Sequence, residues 1–71
     1  MNPEELVKEE WSKLYLKDGD KVLHFYCIDG FGSEYEKYSV GVRRAVGHYI
    51  LGTVVHRPTE GPKFSNYLDV A

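Results

Sequence analysis

The stretch SEYEKYSVGVRRAV, residues 33–46, decides the fold because it fits two different elements. As a strand, its β-branched and aromatic residues alternate with other types from Tyr38 to Val42. As a helix, Ser33 would cap its start and the apolar residues would share one face. Gly41 between two valines costs a helix roughly 1 kcal/mol, so a strand within a hairpin is favoured. A second helix at 33–46 is the alternative.

Strands are predicted on both sides of this stretch. Residues 21–28 are rich in strand-forming types, and strict alternation places Leu23, Phe25 and Cys27 on the same face. Both faces of this segment are largely apolar, so we expect a central strand that a helix covers. Residues 48–57 also alternate, whereas residues 64–70 fit either a short terminal strand or one helical turn.

A helix is predicted over residues 3–16. Pro3 suits the first helical position, and Asp18-Gly19-Asp20 ends the segment with a glycine that tolerates a left-handed conformation. Val7, Trp11 and Leu14 recur at the spacing of one buried face. The predicted fold is α+β, a single domain over residues 1–71, with an N-terminal amphipathic helix packed on a small antiparallel sheet of about three strands.

The small size of the chain limits its stability. A core built from 71 residues rarely supplies more than ~3–5 kcal/mol, and small proteins usually add disulfides, a metal or a partner. Cys27 is the one cysteine, so an internal disulfide is excluded. A protein partner or self-association is therefore expected.

The net charge of −2 is unevenly distributed along the chain. Residues 1–36 hold nine acids and four lysines, whereas residues 37–71 hold two acids and five basic residues. A basic half favours an anionic partner. No apolar run reaches the ~18 residues of a membrane span, and MNPEE at residues 1–5 is opposite in charge to a secretory signal. We therefore expect a cytoplasmic protein without membrane contact.

Catalytic and metal-binding chemistry find little support in the sequence. His24 and Cys27 are three apart in a predicted strand, which directs their side chains to opposite faces. Glu34 and Glu36 are expected to be exposed and unperturbed, so no acid–base pair is predicted. We predict no enzymatic activity, no metal and no cofactor. A structure with His48 or His56 in a cleft, hydrogen-bonded to Glu34 or Glu36, would reopen that question.

A binding role remains. An abundance of Tyr together with a Trp is typical of interface hot spots, so the leading hypothesis is a small non-enzymatic regulatory protein that binds a protein partner. Small chains of this kind are common among modulators of host processes in phages and mobile elements. The alternative is an RNA-binding or RNA-processing accessory protein. Its candidate nucleic-acid-binding residues are Lys37, Arg43, Arg44, Arg57, Tyr35, Tyr38 and Tyr49.

Overall fold

The computed structural model describes residues 3–70 and places one helix before four strands. The elements are α1 (Pro3–Tyr15), β1 (Lys21–Asp29), β2 (Glu36–Arg43), β3 (Tyr49–Arg57) and β4 (Gly61–Val70). The strands form an antiparallel sheet in the order β1-β2-β3-β4, and α1 packs on one of its faces. The predicted α+β class is confirmed. The sheet has one strand more than about three, because residues 64–70 belong to β4.

The stretch 33–46 contains strand β2, so the alternative of a second helix is wrong. Tyr38, Val40 and Val42 alternate into the core, and all three are almost completely buried. Gly41 lies opposite His24 on β1 and leaves space for its imidazole. The recurrence of apolar residues at every second position therefore outweighs the capping signals that favour a helix.

Strand β1 is an edge strand and not the central one, and its alternation is interrupted. The register with β2 shifts between Val22 and His24, which makes Leu23 an extra residue in the strand. Val22 therefore lies on the same face as Phe25 and Cys27, while Leu23 is exposed. The prediction that placed Leu23 with Phe25 and Cys27 is wrong because a bulge reverses the alternation.

The core lies between α1 and the sheet and is centred on Trp11. The indole is fully buried, and its ring centroid lies 5.4 Å from that of Phe25 and 5.5 Å from that of Phe64. Val7 is buried beside it, and Tyr15 completes the packed face of the helix. The remaining buried apolar side chains come from the two central strands: Tyr38, Val40, Val42, Ile50 and Val54.

Leu14 does not belong to this buried face, contrary to the prediction, and 62% of its surface is exposed. At about 100° per residue, Val7, Trp11 and Tyr15 cover an arc of roughly 80°, and Leu14 falls about 20° outside the Val7 edge. The residues on the packed face of the helix are thus spaced four apart, at Val7, Trp11 and Tyr15. Within residues 3–70, no helix has the length and apolar character needed to span a bilayer.

Candidate binding face of the sheet

The face of the sheet opposite α1, here called the open face, has no other element packed on it in residues 3–70. The strand register orders its side chains in four rows across the sheet. From one end to the other the rows are Lys21–Arg43–Tyr49–Val70, His24–Gly41–Leu51–Leu68, Tyr26–Ser39–Thr53–Asn66 and Asp29–Lys37–Val55–Lys63.

The centre of the open face is apolar. Leu51 is 47% exposed and Leu68 is 64% exposed, and the two lie opposite each other on β3 and β4. Tyr49 and Val70 form the adjacent pair and are also exposed. An apolar patch that strands present together to solvent is the type of surface that marks an interaction site.

At the middle of this face, Gly41 is covered by a side chain from the neighbouring strand. It carries no side chain, and the imidazole of His24 from β1 lies over it. A hydrogen bond of 3.1 Å between His24 Nε2 and Ser39 Oγ fixes the ring in this position. The imidazole also lies beside the Tyr26 ring, with centroids 5.4 Å apart, so it covers the glycine at the middle of the face.

Basic side chains lie at both ends of the open face. Lys21 and Arg43 face each other across β1 and β2 at one end, and Lys37 and Lys63 flank Val55 at the other. None of these four forms an ion pair within the described residues. The rows contain one acid, Asp29.

The structure separates the predicted nucleic-acid-binding residues into groups. Tyr35, Lys37 and Arg57 lie at the end of the sheet near the β1–β2 loop, where the guanidinium of Arg57 is 4.8 Å from the centre of the Tyr35 ring. That pair lines an open cleft of about 480 Å³. Arg43 and Tyr49 are register partners at the opposite end of the sheet.

Arg44 is engaged with another part of the chain and does not lie in the rows of the open face. Its guanidinium is 2.8 Å from the Asp20 carboxylate, which also accepts hydrogen bonds from the backbone N–H groups of Lys17 and Ala45. The backbone hydrogen bonds, followed by Arg44, hold the pKa of Asp20 below its ordinary value. Arg44 thus ties the β2–β3 turn to the connection between α1 and β1.

Tyr38 lies on the other side of the sheet and is fully buried. Its ring stacks on Phe25 with centroids 4.9 Å apart, and its hydroxyl donates a hydrogen bond to Glu36. Burial raises the pKa of Tyr38, and the nearby Glu36 carboxylate raises it further. A ring in this position is closed to a stacking base.

Glu36 is also buried, so the expectation of an exposed and unperturbed carboxyl is wrong. Only 6% of the residue is exposed, and its carboxylate accepts hydrogen bonds from the Gly32 backbone, the Tyr38 hydroxyl and His56 Nδ1 at 2.8, 3.1 and 3.0 Å. Burial opposes ionisation, but the hydrogen bonds from Gly32, His56 and Tyr38 outweigh it and lower the pKa of Glu36.

The contact between His56 and Glu36 meets one of the conditions that would reopen catalysis. Both oxygens of this carboxylate are, however, already hydrogen-bonded within the protein. We assign the pair a structural role, because it attaches the loop at Gly32 to strands β2 and β3. The group is a hydrogen-bonded anchor of the β1–β2 loop.

This anchor makes stability depend on pH. Because the pKa of Glu36 is lower in the folded state than its ordinary value of 4.5, the anchor stabilises the fold above that value and loses its effect as the pH falls below it. We expect Glu36→Gln to lower the unfolding midpoint by about 5 °C at pH 7, and the difference from wild type to shrink towards pH 3.

Thermal melts followed by circular dichroism between pH 7 and pH 3 measure this difference. Glu34→Gln is the matched control, because Glu34 lies in the same loop, is exposed and forms none of the anchor's hydrogen bonds. A Glu36→Gln variant that melts with wild type at pH 7 would contradict the assignment.

Several residues of the open face were not among the sequence candidates. Lys21 and Lys63 lie at its two ends, and Leu51 and Leu68 form its centre. Strict alternation would have placed Lys21 with Phe25 and would have separated Lys63 from Leu68, because a bulge follows each lysine. Their assembly into rows therefore required the register of four strands and the positions of the bulges, which no single strand reveals.

Among residues 3–70, no three or more His, Cys, Asp and Glu side chains are arranged to hold a metal ion. Comparison of the chain with protein-family models, with curated proteins and with solved structures finds no match.

Proposed function

We propose that this chain is a small non-enzymatic regulatory protein that acts by binding a cytoplasmic protein partner with the open face of its sheet. The observation that carries the proposal is the exposed apolar centre formed by Leu51, Leu68, Tyr49 and Val70. One side of the sheet supplies the core, and the other presents apolar surface to solvent.

The arrangement of the open face resembles the anatomy of a protein interface. Interfaces combine a buried apolar centre with a polar rim, and Tyr and Arg are enriched in them. Here the apolar pairs Leu51–Leu68 and Tyr49–Val70 adjoin Arg43 at one end of the sheet, and a polar row separates them from Lys37 and Lys63 at the other. Antiparallel strands with a solvated second face usually carry polar residues there, so apolar side chains at these positions favour a binding role.

The same residues favour a protein over RNA. Aromatic rings stack bases, but the exposed tyrosines of this face, Tyr26 and Tyr49, lie in separate rows with the Leu51–Leu68 row between them. Two of the RNA-binding candidates are already engaged within the protein: Tyr38 is buried in the core, and Arg44 pairs with Asp20. The sequence pI of about 5.8 is also far below that of typical nucleic-acid-binding domains.

The proposal is tested by making the apolar centre polar. We expect Leu51→Gln with Leu68→Gln to reduce partner capture by about tenfold, because the substitution removes apolar area from the middle of the interface. Leu6→Gln with Leu14→Gln is the matched control, since both leucines are exposed on the helix. Tagged wild type and both variants are incubated with lysate, with and without RNase treatment, and the captured proteins are quantified by mass spectrometry.

Proteins that wild type and the helix variant retain, and that the open-face variant loses, would support the proposal. A thermal melt of each variant confirms that it is folded. Equal capture by both variants would contradict the proposal, as would capture that disappears whenever RNase is added.

A further inference from the structure

We infer that the partner presents an acidic segment, with carboxylates on both sides of apolar side chains, to the open face. The inference rests on the proposed function and specifies the chemistry of the ligand. It combines the apolar centre with the two unpaired basic groups, Lys21 with Arg43 and Lys37 with Lys63.

The first step of the argument is the position of the charges. Lys37 and Arg43 lie six residues apart on β2, which corresponds to roughly 20 Å along an extended strand. Leu51 and Leu68 lie in the rows between them. A ligand that fits this pattern spans about six extended residues, with negative charge at both ends and apolar side chains opposite Leu51 and Leu68.

The second step is the electrostatic repulsion between basic side chains in the unbound protein. Lys21 and Arg43 are direct register partners on the same face, and like charges in such positions destabilise a sheet. Neither forms an ion pair with an acidic side chain in residues 3–70. An anionic ligand between the two would remove this repulsion and gain two attractive interactions, so charge complementarity selects an acid-rich partner.

The third step separates an acidic protein from the other occupants of such a face. A second copy docked face to face would bring four cations and one carboxylate, a net charge of +3, against the same set, which is unfavourable. Single-stranded RNA would satisfy the cations and could stack on Tyr26 or Tyr49, but it would leave the exposed Leu51 and Leu68 in the row between them without apolar partners. A peptide segment with both acidic and apolar residues can pair with the basic side chains and cover the exposed leucines.

The inference is tested by unbiased selection. A phage-displayed library of random dodecapeptides is selected on immobilised wild-type protein, and a pool of random single-stranded RNA 20-mers is selected in parallel. We expect the selected peptides to be enriched in Asp and Glu on both sides of Leu, Ile or Phe. Sedimentation of the protein alone reports whether it self-associates at the concentrations used.

Binding of the best peptide is then measured by fluorescence anisotropy. Lys21→Gln with Arg43→Gln is expected to weaken it by about tenfold and to flatten its dependence on salt. Lys8→Gln with Lys13→Gln removes the same charge from the helix and is the matched control. This control is expected to leave affinity and salt dependence unchanged.

The outcomes distinguish this inference from the proposed function. Selected peptides that are neutral, yet lose binding in the Leu51→Gln, Leu68→Gln variant, would overturn the acidic partner and leave the protein-binding proposal intact. Peptides that bind the Leu51→Gln, Leu68→Gln variant as well as wild type would overturn both, as would enrichment of the RNA pool alone. Self-association that occupies the open face would overturn the acidic partner in favour of a second copy.

Discussion

The Trp11→Ala variant is expected to be largely unfolded at room temperature. Truncation of a buried aromatic side chain typically costs about 3–5 kcal/mol, which equals the whole stability expected for a core of this size. The indole is fully buried and contacts rings from the helix and from both edge strands, namely Tyr15, Phe25 and Phe64. Its removal therefore opens a cavity where the helix meets both edges of the sheet.

Leu14→Ala is the matched control, because it truncates an exposed side chain three residues further along the same helix. Thermal melts of the two variants and wild type should show the Trp11 variant without a cooperative transition and the Leu14 variant within a few degrees of wild type. If the Trp11 variant melts close to wild type, the helix does not pack as described, and Trp11 becomes an anchor for a partner.

Gly52→Ala is expected to produce the second largest loss of stability. Gly52 lies in the middle of the central strand β3, between Val40 on β2 and Tyr67 on β4. A Cβ atom at this position would lie 2.4 Å from the Asn66 carbonyl oxygen and 2.7 Å from Tyr67 Cβ. These backbone and Cβ atoms can move away only if the pairing of β3 with β4 shifts. We therefore expect the free energy of unfolding to fall by about 1–3 kcal/mol.

Gly41→Ala provides the comparison within the same sheet. Its Cβ atom would meet the His24 imidazole at 2.6 Å, and this ring can rotate away if it gives up its hydrogen bond to Ser39. Chemical denaturation of both variants should therefore give a clearly lower midpoint for Gly52→Ala than for Gly41→Ala. Equal midpoints would contradict the tight approach of β3 and β4.

The sequence predicted the class of the fold and most of its elements, because these depend on local periodicity. The N-terminal helix, the glycine after it and the strand within residues 33–46 all follow from patterns that neighbouring residues carry. The bulge at Leu23 and the edge position of β1 could not be predicted this way. Both depend on how separate strands pair, and one inserted residue reverses the face of every residue beyond it.

The candidate site was harder to predict than the fold. Arg43 and Arg44 are adjacent in sequence, yet Arg43 lies on the open face while Arg44 pairs with Asp20. Tyr38 is buried and Tyr49 is exposed, although both were expected on one aromatic surface. Composition identified the residue types of an interface, but only the register shows which of them face solvent together.

The order of the strands in the sheet has a consequence for folding kinetics. Each strand pairs with its neighbour in sequence through the short connections 30–35, 44–48 and 58–60. Closing such short loops costs little chain entropy, and mainly local pairings are associated with fast folding. After a local opening, each hairpin can form again from residues that are already close along the chain. The chain is therefore expected to recover its structure rapidly whenever thermal motion or dissociation of a partner disturbs it.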